Sequence, residues 1–210
     1  MSLQNIQRAE QRVRSYWYED GLAEMATGGV FVAMGAYFAL QGYFGEGSSI
    51  TTILQVGLAL LIIFGAYFVR RIVGSLKARF TYPRTGYVEY RVDAGNVQLR
   101  RFVTAGLGFL AAAGLIALYR AVHGLDVVVL ATGVIVAFIL VALRIQARGI
   151  RRFYLLGTLS LALGAILSLA RLPEAYALGL FYGLFGLVLL VSGGLALRRY
   201  LRQNPLPSEA

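Results

Sequence analysis

Six stretches of the chain are almost free of charged side chains: Gly21 to Phe44, Ile50 to Val69, Phe102 to Tyr119, Val127 to Leu143, Phe153 to Ala170 and Ala175 to Leu197. About 20 mostly apolar helical residues are needed to cross a hydrocarbon core of about 30 Å, so each stretch predicts a transmembrane helix, the fourth being the shortest. Turn formers separate three of the pairs: Gly45-Glu46-Gly47-Ser48-Ser49, His123-Gly124-Leu125-Asp126 and Arg171-Leu172-Pro173-Glu174. Connections this tight join antiparallel neighbours. The pattern therefore predicts an all-α membrane protein, a six-helix bundle made of three helical hairpins (residues 21–69, 102–143 and 153–197).

The polar segments carry patterns of their own. Leu3, Ile6, Val13 and Trp17 recur at nearly helical spacing with Arg8, Glu10 and Arg12 between them, and Tyr16 and Tyr18 flank the single tryptophan. This predicts an amphipathic helix over residues 1–20 lying on the membrane surface, with Trp17 as its interfacial anchor. The segment lacks the apolar core and cleavage site of a secretory signal, so the first span is expected to serve as an uncleaved signal anchor. Between the second and third spans lies a basic loop, residues 70–101. Within it Tyr82-Pro83-Arg84-Thr85-Gly86 is a tight-turn sequence, and Val88, Tyr90 and Val92 alternate with Tyr87, Glu89 and Arg91. With a second turn at Asp93-Ala94-Gly95-Asn96 and a possible return strand over Val97-Gln98-Leu99, the loop predicts a small β-hairpin.

Charge sets the orientation. Of the twenty Lys and Arg residues, three precede the first span, eight lie in the 70–101 loop, four in the loop of residues 144–152 and three in the tail of residues 198–210. The opposite side holds only Arg120 and Arg171. Basic residues resist translocation, so both termini and both basic loops are expected in the cytoplasm of a bacterial-type inner membrane. The same asymmetry accounts for the net charge of +10 and removes nucleic acid as the expected partner. A content of 58% hydrophobic against 14% charged residues is likewise too apolar for a water-soluble domain of 210 residues.

The chemistry available is narrow. There is no cysteine, His123 is the sole histidine, and the ten Asp and Glu are scattered. That excludes disulfides, thiolate nucleophiles and the usual nitrogen and sulfur metal sites, and no catalytic residue, cofactor site or metal site is predicted. No span carries an ionisable residue near its centre; Glu24 comes closest, one turn inside the first span, where its carboxylate is expected to reach the headgroups. Tyr37, Gln41, Gln55, Thr132, Ser168 and Tyr182 fall mainly in the outer half and either line a shallow cavity or bond to nearby helices. Gly179 and Gly183 form a GxxxG that lets two helices approach closely, with packing inside the bundle favoured over dimerisation.

The run Lys77-Ala78-Arg79-Phe80-Thr81-Tyr82-Pro83-Arg84-Thr85-Gly86-Tyr87-Val88 resembles a cytoplasmic loop of uncharacterised bacterial multi-pass membrane proteins. The resemblance spans about a dozen residues, implies no activity and directs attention to the loop. Arg79, Arg84 and Arg91 suit membrane lipid phosphates, those of anionic lipids among them, and Tyr82, Tyr87 and Tyr90 suit a protein partner; a lid that only satisfies itself is the third use. The leading expectation is a non-enzymatic membrane protein acting through protein or lipid interaction at this loop. The alternative is a permease, or the membrane subunit of a transporter powered by a separate ATPase, since the chain has no GxxxxGK[ST] of its own. A lipid-modifying enzyme would have to rely on Glu89 and its tyrosine neighbours, whose spacing suits a hairpin better.

Overall fold

The computed structural model describes residues 19–45, 48–82, 127–146 and 151–205. Every regular element among them is an α-helix: α1 (Leu22–Phe44), α2 (Ser49–Phe80), α3 (Val127–Gln146), α4 (Arg152–Leu169) and α5 (Glu174–Gln203). Three of these, α1, α4 and α5, are long and apolar enough to cross a membrane. The third expected span, the expected β-hairpin and the surface helix up to residue 18 lie outside the described residues.

The helix ends follow local chemistry. Gly45, with φ of 74°, closes α1 by donating its N–H to the Gln41 carbonyl. Ser48 opens α2: its hydroxyl accepts the Thr51 N–H at 3.1 Å, while the Thr51 hydroxyl donates to the Gly45 carbonyl at 2.6 Å. Pro173 and Glu174 start α5, a ring without an N–H to satisfy followed by an acid at the positive helix end.

α2 continues to Phe80, so Arg70 to Phe80 is helical where the charge pattern places the start of a loop. The physical reason is a continued inward stripe. Val73, Lys77 and Thr81 recur every fourth residue and are all buried, and no proline occurs before Pro83.

The closest packing joins α1 to α5, antiparallel, along glycines spaced seven apart. Gly21, Gly28 and Gly35 on α1 and its leading turn face Gly193, Gly186 and the pair Gly179 and Gly183 on α5. A side chain at Gly35 would stand 2.5 Å from the Gly183 nitrogen, and one at Gly28 2.8 Å from the Gly186 carbonyl. A seven-residue repeat keeps one seam facing its partner along the whole helix. α3 and α4 form a second small-residue seam, in which Gly133 meets Gly164 and the Ser160 hydroxyl donates to the Gly133 carbonyl at 3.0 Å.

Between the two seams lies an apolar core built on Phe181, Phe185 and Leu189 of α5 with Phe153, Leu156 and Leu167 of α4 and Val129 and Leu140 of α3. Outside it, Leu155, Ile166, Leu169, Val191 and Leu195 are among many large apolar side chains left exposed. A surface of this kind suits lipid and not water.

Candidate functional site

The start of α1, the ends of α2 and α5 and the start of α4 meet at one end of the bundle. The turn into α1 brings them together. Gly21 takes a φ of 73°, and its α-carbon sits so close to α5 that a side chain there would meet the Gly193 carbonyl. The preceding Asp20 is fully buried: one carboxylate oxygen accepts the Leu22 N–H at 3.2 Å, and the other accepts the Thr81 hydroxyl at 3.1 Å and pairs with the Lys77 ammonium at 2.8 Å. Both charged side chains have 0% exposure. A pair this deep is tolerated only where further hydrogen bonds satisfy the carboxylate, and Thr81 and Leu22 supply them.

In the first turn of α1, Glu24 forms a second pair. Its carboxylate accepts the Arg152 Nε–H at 2.7 Å and the Ser192 hydroxyl at 3.1 Å, joining α1 to α4 and α5. Glu24 is 5% exposed, whereas Arg152 keeps 23% of its side chain open. The expectation that Glu24 reaches the headgroups is thereby corrected. The carboxylate turns inward because an arginine from a neighbouring helix meets it within the bundle.

Two spaces border this second pair. On one side is a groove of about 890 Å³ running along α5. Leu184, Leu187, Val188, Val191 and Leu195 form its apolar wall, and Arg152, Arg199, Gln203, Asn204 and Glu19 form its polar head. The α5 stripe changes from aliphatic to cationic between Leu195 and Arg199, one turn apart. On the other side is an apolar cavity of about 120 Å³ among Glu24, Thr27, Phe31, Leu140, Phe153, Leu189 and their neighbours.

Arg70, Arg71, Lys77, Arg79, Arg151, Arg152, Arg198, Arg199 and Arg202 gather toward the same end, and among the described basic residues only Arg171 stands at the other. Arg79 is exposed, its guanidinium 5.9 Å from the centre of the Phe80 ring, and Tyr82 is half-buried just beyond the end of α2. Trp17, Arg84, Tyr87, Tyr90 and Arg91 lie outside the described residues. Gly179 and Gly183 lie against α1, within the bundle.

Of the polar residues expected in the outer half, none lines either space beside Glu24. The Thr132 hydroxyl donates to the Val128 carbonyl at 2.8 Å, the Tyr182 ring stacks on Phe38 at 5.6 Å and meets Phe31 edge-on, and the buried Ser168 hydroxyl has no hydrogen-bond partner among the described residues.

Asp20, Lys77, Arg152, Ser192 and Arg199 are the residues that reading the sequence passes over. One signal was present: Lys77 is the sole lysine among twenty basic residues. A lysine offers a compact charge on a flexible stem, which fits a closed pocket that a planar guanidinium would not. No family model, characterised protein or solved structure matches the chain, so the functional reading rests on this geometry.

Proposed function

We propose that the chain crosses a bacterial-type inner membrane six times, with both termini and the arginine-rich end in the cytoplasm, and acts without catalysis by holding a phospholipid of the inner leaflet at that end. The observation that carries this is the groove along α5, whose aliphatic wall passes directly into Arg152 and Arg199. Its length suits the ligand. From Leu184 to Arg199 an α-helix rises about 22 Å, and half of a bilayer about 40–45 Å thick, headgroups included, is about the same. The wall then lies against acyl chain while the guanidinium groups meet phosphate, which arginine binds through paired hydrogen bonds. At the same end Lys77 ties α2 to the start of α1.

The test is extraction of the whole chain in native lipid patches, followed by mass measurement of what stays bound. Wild type is expected to keep phospholipid carrying an anionic phosphate, and Arg199→Ala to lose most of it. A discrete co-purifying protein, with no lipid retained, would replace this reading with that of a subunit in a larger assembly.

A further inference from the structure

We infer that the apolar cavity beside Glu24 is a binding site for one small, neutral aromatic molecule that carries a single hydrogen-bond donor, a phenol in chemical class. This site requires the chain to cross a membrane and is independent of what the groove along α5 holds. The cavity, of about 120 Å³, is walled by the rings of Phe31, Phe153 and Phe185 together with Leu140 and Leu189. An apolar cavity of about 150 Å³ stays dry and takes up benzene, so this one suits a single ring. Ile139, which also lines it, is 50% exposed, so the cavity opens at the side of the bundle and a ligand enters from the acyl chains.

The polar end of the cavity calls for a donor. Glu24 and Thr27 are the two polar residues that line it. The Thr27 hydroxyl spends its proton on the Ala23 carbonyl at 2.9 Å and keeps only an acceptor. A carboxylate can accept about four hydrogen bonds. That of Glu24 accepts two among the described residues, from the Arg152 Nε–H and the Ser192 hydroxyl, and its burial keeps bulk water from the rest. An enclosed acceptor with lone pairs unfilled favours a ligand that brings an O–H or N–H. Carbonyl and ether compounds, which only accept, gain nothing there. An ammonium would bring about three donors and a full charge to a wall that is otherwise aromatic and aliphatic. Water fills such a space poorly, since each molecule takes about 30 Å³ and seeks about three polar partners. The phenylalanine rings add edge-to-face contacts that an aromatic ligand can use.

The experiment adds para-fluorophenol, and separately para-fluorotoluene, to the full chain in nanodiscs and reads binding by fluorine NMR, with empty nanodiscs correcting for probe dissolved in lipid. The two probes are alike in size, and only the phenol has a donor. Wild type is expected to bind para-fluorophenol saturably and several-fold more tightly than para-fluorotoluene. Val136→Phe puts a ring into the cavity and should abolish binding of both. Glu24→Gln leaves one carbonyl oxygen, which Arg152 claims, and should bring the two probes to near-equal binding. Either variant carries the test if the other fails to fold. No signal beyond empty nanodiscs, equal binding of the two probes by wild type, binding that survives Val136→Phe or a phenol preference that survives Glu24→Gln would each overturn the site. Loss of binding in Arg199→Ala but not in Val136→Phe would place the probe in the groove, overturning the cavity site and leaving the phospholipid reading to its own test.

Discussion

Two ion pairs stand one helical turn apart at the same end of the bundle, and both acids come from the start of α1, yet they are built for different purposes. Asp20 and Lys77 are sealed on every side, with Thr81 and the Leu22 N–H completing the carboxylate. Glu24 holds Arg152, which lines a groove and is partly open. The difference begins in the backbone. Acids four residues apart on one helix would point at the same neighbour, but Gly21 leaves the helical conformation between them with its φ of 73°. Asp20 therefore addresses α2, while Glu24 addresses α4 and α5. Residue choice follows the same division, since the closed pocket takes the compact ammonium and the open wall takes the guanidinium with its several donors.

The comparison breaks most visibly at Lys77. Lys77→Ala leaves the Asp20 carboxylate buried without its cation, a change that costs about 3–5 kcal/mol for a fully enclosed pair. Adding Asp20→Asn to that variant removes the stranded charge and should recover most of the loss. Reversible unfolding of the purified protein in mixed micelles gives both numbers. A loss below about 1 kcal/mol, the level of an exposed pair, would mean that the site is wetter than its geometry implies.

Arg152→Gln should cost less, about 1–3 kcal/mol, because the stranded Glu24 keeps Ser192, and the groove that Arg152 and Ser192 line lets water reach the vacated position. The same unfolding measurement checks it. High salt should shrink the gap between wild type and this variant, while the Lys77 variant should show no such dependence, since screening reaches open pairs and not sealed ones. Equal costs and equal salt dependence would erase the distinction between the two sites.

How far these features could be read from the sequence depends on the distance over which each is encoded. The apolar stretches of α1, α4 and α5 are local, and their helices begin and end within a few residues of the expected bounds except where α5 runs on to Gln203. The α1 to α5 seam is periodic: glycines at 21, 28 and 35 and at 179, 186 and 193 repeat every seven residues, a period visible in the chain once the two helices are considered together. The extension of α2 was partly visible as well. The double arginine at Arg70 and Arg71 ends the apolar run and reads as a helix end, whereas the spacing of Val73, Lys77 and Thr81 reads as a helix that continues. The ion pairs are another matter. Asp20 meets Lys77 and Thr81, and Glu24 meets Arg152 and Ser192, across separations of up to 168 residues, and no local pattern selects one arginine from nineteen as the partner of one acid.

The smallest expected effects compare the hydroxyl groups that finish each pair. Thr81→Val keeps the shape of the side chain and removes the donor to Asp20, whose oxygen is then enclosed with one bond fewer. A hydrogen bond to a buried charged group is worth about 1.5–3 kcal/mol, so a loss toward the lower end is expected with Lys77 still in place. Ser192→Ala removes the corresponding donor to Glu24, but Ser192 itself lines a space that admits water, and a loss of about 0.5–1 kcal/mol is expected. Measured together in one unfolding series, the two substitutions compare sealing directly, because each deletes a single hydroxyl bonded to a carboxylate at 3.1 Å. A larger loss for Ser192→Ala would place the drier site at Glu24, and the groove beside it would then have no route for solvent or for the headgroup assigned to it.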